Sequence, residues 1–352
     1  MPLQGLTLSW SRSYITLMRC VFVAPLLLMA AWLDAGLSPA EVDHFEASRK
    51  RAEKGEAEGQ AMLGFCYYIG QGVRQDYEKA FHWLRRAAVT DSNAQTIIAF
   101  AYYNGEGVPQ DYAEAVSWYR KAVDLGNPRA MVRLGYCYQR GFGVPADSLA
   151  AVALWRRAAE MGEAQAQSLL GGAYAEGIVP GGDEQAVVWY RKAAEQGEAT
   201  AQVKMGMYLF TGKGVAKDLQ AASAWWRKAA EQGDASGQAS LGLCYGYGLG
   251  MAKDPVLAAS WWRKAAEQGE ASAQDWLAGA YQRGEGVPKD LVEAYTLRLM
   301  VGPRDAKAAR ALSELEATLS PADLAAAKVR AEDYRKAIAA RLARQAREHR
   351  LR

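Results

Sequence analysis

The chain has 352 residues, 50% of them hydrophobic and 23% charged, the balance of a folded soluble protein. A formal net charge of +3 is too small to argue for a nucleic-acid partner. The 34 glycines and 11 tryptophans stand high, and both trace to an internal repeat.

Residues 1–35 read as a signal peptide or N-terminal anchor. Arg12 and Arg19 precede an uncharged run from Val21 to Leu33, VFVAPLLLMAAWL. That run is about 13 residues, against roughly 20 for a membrane-spanning helix. It fits the apolar core of a leader, with cleavage after Ala35. The expectation is export to a periplasmic or envelope-associated location. The alternatives are a cytoplasmic chain, or one held by an uncleaved N-terminal segment. Arg19 before Cys20 argues against a lipoprotein.

Residues 36–54 read as an N-terminal capping helix. Ser38 is an N-cap, Pro39 suits the first helical position, and Glu41 completes a capping box. The ending Arg51-Ala52-Glu53-Lys54-Gly55 resembles the RKAAEQG endings further on, so this helix reads as a half-repeat.

From residue 55 to 302 one pattern of 35 or 36 residues recurs seven times, opening at 55, 90, 126, 162, 197, 233 and 269. A fixed period of this size means a stacked solenoid. Function then sits on an extended surface rather than in one pocket. Each copy predicts a helical hairpin. The first helix follows Glu56, Asp91, Asn127, Glu163, Glu198, Asp234 or Glu270. It carries an apolar slot, such as Leu63 or Met205, and then a Gly or Ala, such as Gly64 or Gly206. Glycine inside a helix costs about 1 kcal/mol relative to Ala, so its recurrence implies close helix–helix approach. A further glycine, such as Gly70 or Gly212, ends the helix. An Asp in all seven copies, from Asp76 to Asp290, is placed to cap the second helix. Trp and Ala fill that helix's buried face. In Trp225-Trp226 and Trp261-Trp262, adjacent helical positions about 100° apart send one indole into the repeat and the other toward the next. Repeat four departs from the pattern at Ile178-Val179-Pro180-Gly181-Gly182, where a bend of the superhelix is expected.

Cys66, Cys137 and Cys244 share one slot, which holds Ala in other copies. Equivalent slots two or three repeats apart lie beyond the roughly 7 Å Cα limit for a disulfide. They read as small packing residues, and no metal site is expected.

Residues 303–352 read as C-terminal capping helices with a basic tail. Ser320-Pro321-Ala322-Asp323 starts a helix, and Ala327, Ala331, Tyr334, Ile338 and Leu342 form a stripe at helical spacing. From Leu324 to Arg352, Lys and Arg number 9 against 3 Asp and Glu. One reading is a cap with a solvated basic face. The other is a weak contact with an anionic membrane surface.

The composite pattern A..LG..Y..G.GV..D...A..W.RKAAEQG resembles the Sel1-like repeat family, relatives of tetratricopeptide repeats. The resemblance implies an all-α fold: an α/α superhelical solenoid of about seven Sel1-like hairpins with capping helices at both ends. It further implies a non-enzymatic scaffold that binds a partner protein on its concave face, often in exported bacterial proteins. The LSPADLAAA segment resembles the helix that follows many such arrays.

No HExxH, CxxC, GxxxxGK[ST] or Ser-x-x-Lys motif occurs, and the three histidines are scattered. No cofactor is expected. An alternative is a weak β-lactam-binding or hydrolysing enzyme, known for a cysteine-rich subgroup whose paired cysteines are missing here. A second alternative is an envelope adaptor using the basic tail. The partner is another protein and the chain is expected to be a monomer. Candidate partner-binding residues lie on the first helices of repeats one to three: Phe65, Tyr68, Phe100, Tyr103, Arg129, Arg133, Tyr136, Gln139 and Arg140. Aromatic residues with Arg are enriched at binding hot spots. The opposing reading is that Phe65 and Phe100 pack between neighbouring repeats.

Overall fold

The computed structural model describes residues 38–303 and 306–351, and among them every regular element is an α-helix. The leader, including Cys20, lies outside the described residues, as do the side chains of 346–352.

After α1 (Pro39–Glu53) come seven helical hairpins: α2 (Ala57–Ile69) with α3 (Tyr77–Ala87), α4 (Ser92–Asn104) with α5 (Tyr112–Asp124), α6 (Pro128–Arg140) with α7 (Ser148–Glu160), α8 (Ala164–Ala175) with α9 (Gly182–Glu195), α10 (Ala199–Thr211) with α11 (Leu219–Glu231), α12 (Ala235–Tyr247) with α13 (Pro255–Ala266), and α14 (Ala271–Arg283) with α15 (Leu291–Val301). The chain closes with α16 (Ala306–Thr318) and α17 (Pro321–Leu351). This is an all-α solenoid. It divides into two compact units, one up to Ala130 and one from Met131.

Inside each hairpin the packing follows the sequence. The glycine slot of the first helix lies under a large side chain of the second. A Cβ on Gly135, Gly206 or Gly242 would overlap the indole of Trp155, Trp226 or Trp262, and one on Gly64 would overlap Leu84. Of each double tryptophan, the second enters the repeat: Trp226 is 4% exposed. Trp225 is half-buried, at the margin of a cluster that reaches Cys244 of the following repeat. Lys228 Nζ lies 4.2 Å above its ring, a favourable cation–π pair. The cysteine slot is packing space, as Cys66, Cys137 and Cys244 are 0% exposed. Burial pushes each of these thiols up to about 11.

Between hairpins the second glycine of a turn, where one is present, is a point of close approach. A Cβ on Gly250 would overlap the Leu219 carbonyl at the start of the preceding repeat's second helix, and Gly286 stands likewise on Pro255. Gly72 meets the backbone of Glu41 in α1 in the same way. The α1 helix therefore occupies the position of a repeat's second helix. Its capping box forms, with the Glu41 amide on Ser38 Oγ at 3.3 Å and the Ser38 amide on Glu41 Oε2 at 3.0 Å.

The predicted aspartate caps hold for α3, α5, α7, α11, α13 and α15. Repeat four is the correction. There the cap is Gly181, with φ +140°, and Asp183 lies inside α9. Two glycines before Asp183 let the helix begin earlier, and the carboxylate accepts a hydrogen bond from the Tyr208 hydroxyl of repeat five at 2.9 Å. Glu56 and Glu163 also make no capping hydrogen bond. At the far end Ala327 and Ala331 of α17 are buried, and Arg330 pairs with Glu293 at 2.8 Å. These residues of the C-terminal stripe pack on the array. No helix among the described residues is long and apolar enough to cross a membrane.

Candidate interaction surface

The stacked hairpins leave the outer stripe of each first helix to vary. Two slots and three arginines carry the sequence candidates, and the structure separates them.

The slot of Tyr68, Tyr103 and Gln139 turns toward its own repeat's second helix. Tyr68 is 3% exposed, with its ring edge-on to Tyr77 at 5.5 Å between centroids. Its hydroxyl donates to Glu106 in the next repeat's turn. Burial, reinforced by that carboxylate, raises its pKa well above the ordinary value. Tyr68 therefore leaves the candidate set, because it is a locking residue between repeats one and two. Tyr103 repeats the motif at half-burial, 5.2 Å from Tyr112. In repeat five the slot holds Phe210, packed on Trp226 at 5.6 Å.

The slot of Phe65, Phe100 and Tyr136 is half-buried throughout repeats one to three. Phe100 borders the core cluster of Ile98 and Leu84, so the packing reading accounts for part of its surface. Tyr136 lies edge-on to Trp155 at 5.8 Å. Burial raises its phenol, and the charges of Arg133 and then Arg140 act in the opposite sense. Arg133 and Arg140 are exposed and Gln139 is half-buried. Arg129, exposed in the first unit, lies at the start of the same helix.

Positions missed by sequence reasoning lie further along the second unit. Met207 in α10 occupies the Tyr136 slot and is 42% exposed, and Tyr247 in α12 occupies the Arg140 slot and is 59% exposed. Counting slots forward from repeat three locates both. Their exposure depends on a neighbour: a Cβ on Gly246 would overlap Trp262, so the inward slot there is filled by tryptophan and Tyr247 stays outside.

Among the described residues no group of three His, Cys, Asp or Glu is placed to hold a metal ion. A rigid framework with variable outer slots defines a class, the all-α repeat scaffold. The Sel1 repeat model matches residues 57–88, 92–127, 128–163, 164–198, 199–234, 235–270 and 271–297, and the chain belongs to the Sel1 repeat family. Proteins of this family are generally protein-interaction scaffolds and typically not enzymes.

Solved structures similar to the chain include two Sel1-type folds. A Sel1 repeat protein from Oxalobacter formigenes is 30% identical, with a TM-score of 0.62 over 70% of this chain and 98% of its own. The protective antigen c5321 of uropathogenic Escherichia coli is 28% identical, with a TM-score of 0.53 over 85% of this chain and 74% of its own. No curated protein matches the chain.

Proposed function

We propose that the outer stripe of the first helices docks a segment of another protein, with the array serving as the scaffold that holds it. The observation that supports this is the surface of the second unit: exposed Arg133 and Arg140 flank Tyr136, and the equivalent slots downstream expose Met207 and Tyr247. Exposed cations in one repeat and exposed aromatic and thioether groups in later ones suit a partner segment that carries both acidic and apolar side chains. In the first unit the stripe carries half-buried Phe65 and Phe100, and exposed Arg129.

The test is affinity capture with mass spectrometry on the wild-type chain and on the double variant Arg133→Glu/Arg140→Glu. A partner caught by the wild type and lost by the variant, with unchanged melting temperature, supports the reading. Equal recovery of every captured protein defeats it. From the leader composition we further propose that the protein acts outside the cytoplasm. Cell fractionation that finds the full-length chain in the cytoplasm counts against this.

A further inference from the structure

Helix α17 lies along the last two repeats and forms with them a partly open cavity of about 350 Å³. Leu277 of α14, Leu297 and Met300 of α15, and Ile338 of α17 line its apolar part. Arg263 of α13 and Arg341 of α17 stand on its polar side. The Arg263 guanidinium donates to the Tyr281 hydroxyl at 2.8 Å. The same pairing recurs upstream as Arg156 to Tyr174 at 3.2 Å and Arg227 to Tyr245 at 3.3 Å. Those two pairs belong to the repeat framework. At the last repeat α17 lies beside the pair, and an element of the framework becomes one wall of a partly open pocket.

The charges around the cavity are unevenly satisfied. Glu293 is held by Arg330 at 2.8 Å and by the Tyr334 hydroxyl at 3.1 Å. Glu267 meets Arg341 at 3.9 Å, beyond hydrogen-bond length. A guanidinium has five N–H donors, so Arg263 and Arg341 retain capacity to bind an anion at this end.

We propose that this cavity binds an amphipathic monocarboxylate, with its alkyl or aryl body against Leu277, Leu297, Met300 and Ile338 and its carboxylate between Arg263 and Arg341. The volume is at the small end of ligand sites, which suits a medium-chain acid. Glu267 and Glu293 also line the cavity, but each faces an arginine of α17, Arg341 and Arg330, so the unbalanced charge is that of Arg263 and disfavours an amine. A peptide would bring backbone N–H and C=O groups against an apolar wall that cannot pair them. The site is separate from the first-helix stripe and does not depend on the scaffold reading.

Isothermal titration calorimetry with decanoate, below its micelle-forming concentration, tests this. Saturable binding is expected, with decanol and decylamine each about tenfold weaker, the scale of one charge-assisted hydrogen bond. Arg263→Gln should weaken decanoate by about the same factor and leave decanol unchanged. Ile338→Trp should fill the cavity and abolish binding of both. The comparison of acid, alcohol and amine uses the unaltered chain, so a misfolded variant cannot mask the result. No saturable binding, or an amine that binds as well as the acid, overturns the proposal.

Discussion

The indole of Trp226 lies where a Cβ on Gly206 would be, and its Nε1 donates to the Val203 carbonyl at 3.1 Å. The glycine thus sets how closely the two helices of repeat five approach. Gly206→Ala removes a helix penalty of about 1 kcal/mol but overpacks the contact, which costs about 1–3 kcal/mol. We expect a net loss of about 1 kcal/mol, read as a lower urea midpoint at constant m-value. Adding Trp226→Leu should return part of the loss to the double variant, since the overlap disappears. Strictly additive single effects would show that the two residues are not coupled.

A second lock runs between repeats through glutamine amides. Gln202 is 3% exposed. Its Nε2 donates to the Ala194 carbonyl at 3.2 Å, and its Oε1 accepts from Gln232 Nε2 at 2.8 Å. The pattern recurs at Gln238 and Gln268, where Gln268 also donates to the Gly233 carbonyl at 3.0 Å. Gln202→Leu leaves the Ala194 carbonyl and one Gln232 donor without this partner. Stability should fall by about 1–3 kcal/mol. The exposed substitution Gln220→Leu serves as the control and should change little; equal effects would mean that the ladder contributes nothing.

Much of the hairpin was legible in the sequence because each slot has one physical duty. Gly206 needs to be small, Asp218 needs to accept from the Ala221 amide at 2.9 Å, and Trp226 needs to be covered. The glutamine ladder was equally periodic, at Gln167, Gln202, Gln238 and Gln274. Its role is not legible in the sequence, because Gln is an ordinary surface residue and only burial reveals what it does. The site was harder to read. Whether an aromatic residue faces outward depends on its neighbour's volume. Tyr68 turned inward onto Tyr77, while Tyr247 stays out because Trp262 fills the space beside Gly246. No periodicity encodes that choice. Asp183 likewise kept its place in the alignment but lost its capping duty to two preceding glycines.

Asp234 gives a pH-dependent prediction. Its carboxylate accepts from the Gly237 amide at 2.7 Å. Its pKa is nevertheless raised from 3.8, chiefly by burial, with the charges of Glu198 and Glu270 adding to the shift. A raised carboxyl pKa means that the folded chain holds the proton longer than the unfolded chain. Stability then declines as pH rises through that window. Asp234→Asn keeps an effective N-cap and removes the charge. The variant should melt higher than wild type at pH 7, and the gap should close as pH falls below 3.8. A wild type that is more stable at pH 7 would show that attraction to the helix N-terminus outweighs burial and the two neighbouring carboxylates.

The turn of repeat four should be the loosest in the array. In repeat five the Asp218 amide donates to the Leu209 carbonyl at 2.9 Å, and repeats six and seven make the same bond from Asp254 and Asp290. In repeat four Asp183 lies within α9, and the first bond of that helix is a long one, from the Gln185 amide to the Gly181 carbonyl at 3.4 Å. Val179 stands where other turns place the second glycine, the residue that seats Gly250 on Leu219 and Gly286 on Pro255. A side chain there prevents the same approach to the start of α7. Fewer backbone ties mean a lower free energy of local opening. Amide exchange followed by mass spectrometry should show peptides spanning 177–185 exchanging about tenfold or more faster than those spanning 212–220, the effect of losing about one hydrogen bond. Equal protection in the two turns would mean that Ile178 and Val179, both half-buried, replace by packing what the backbone has lost.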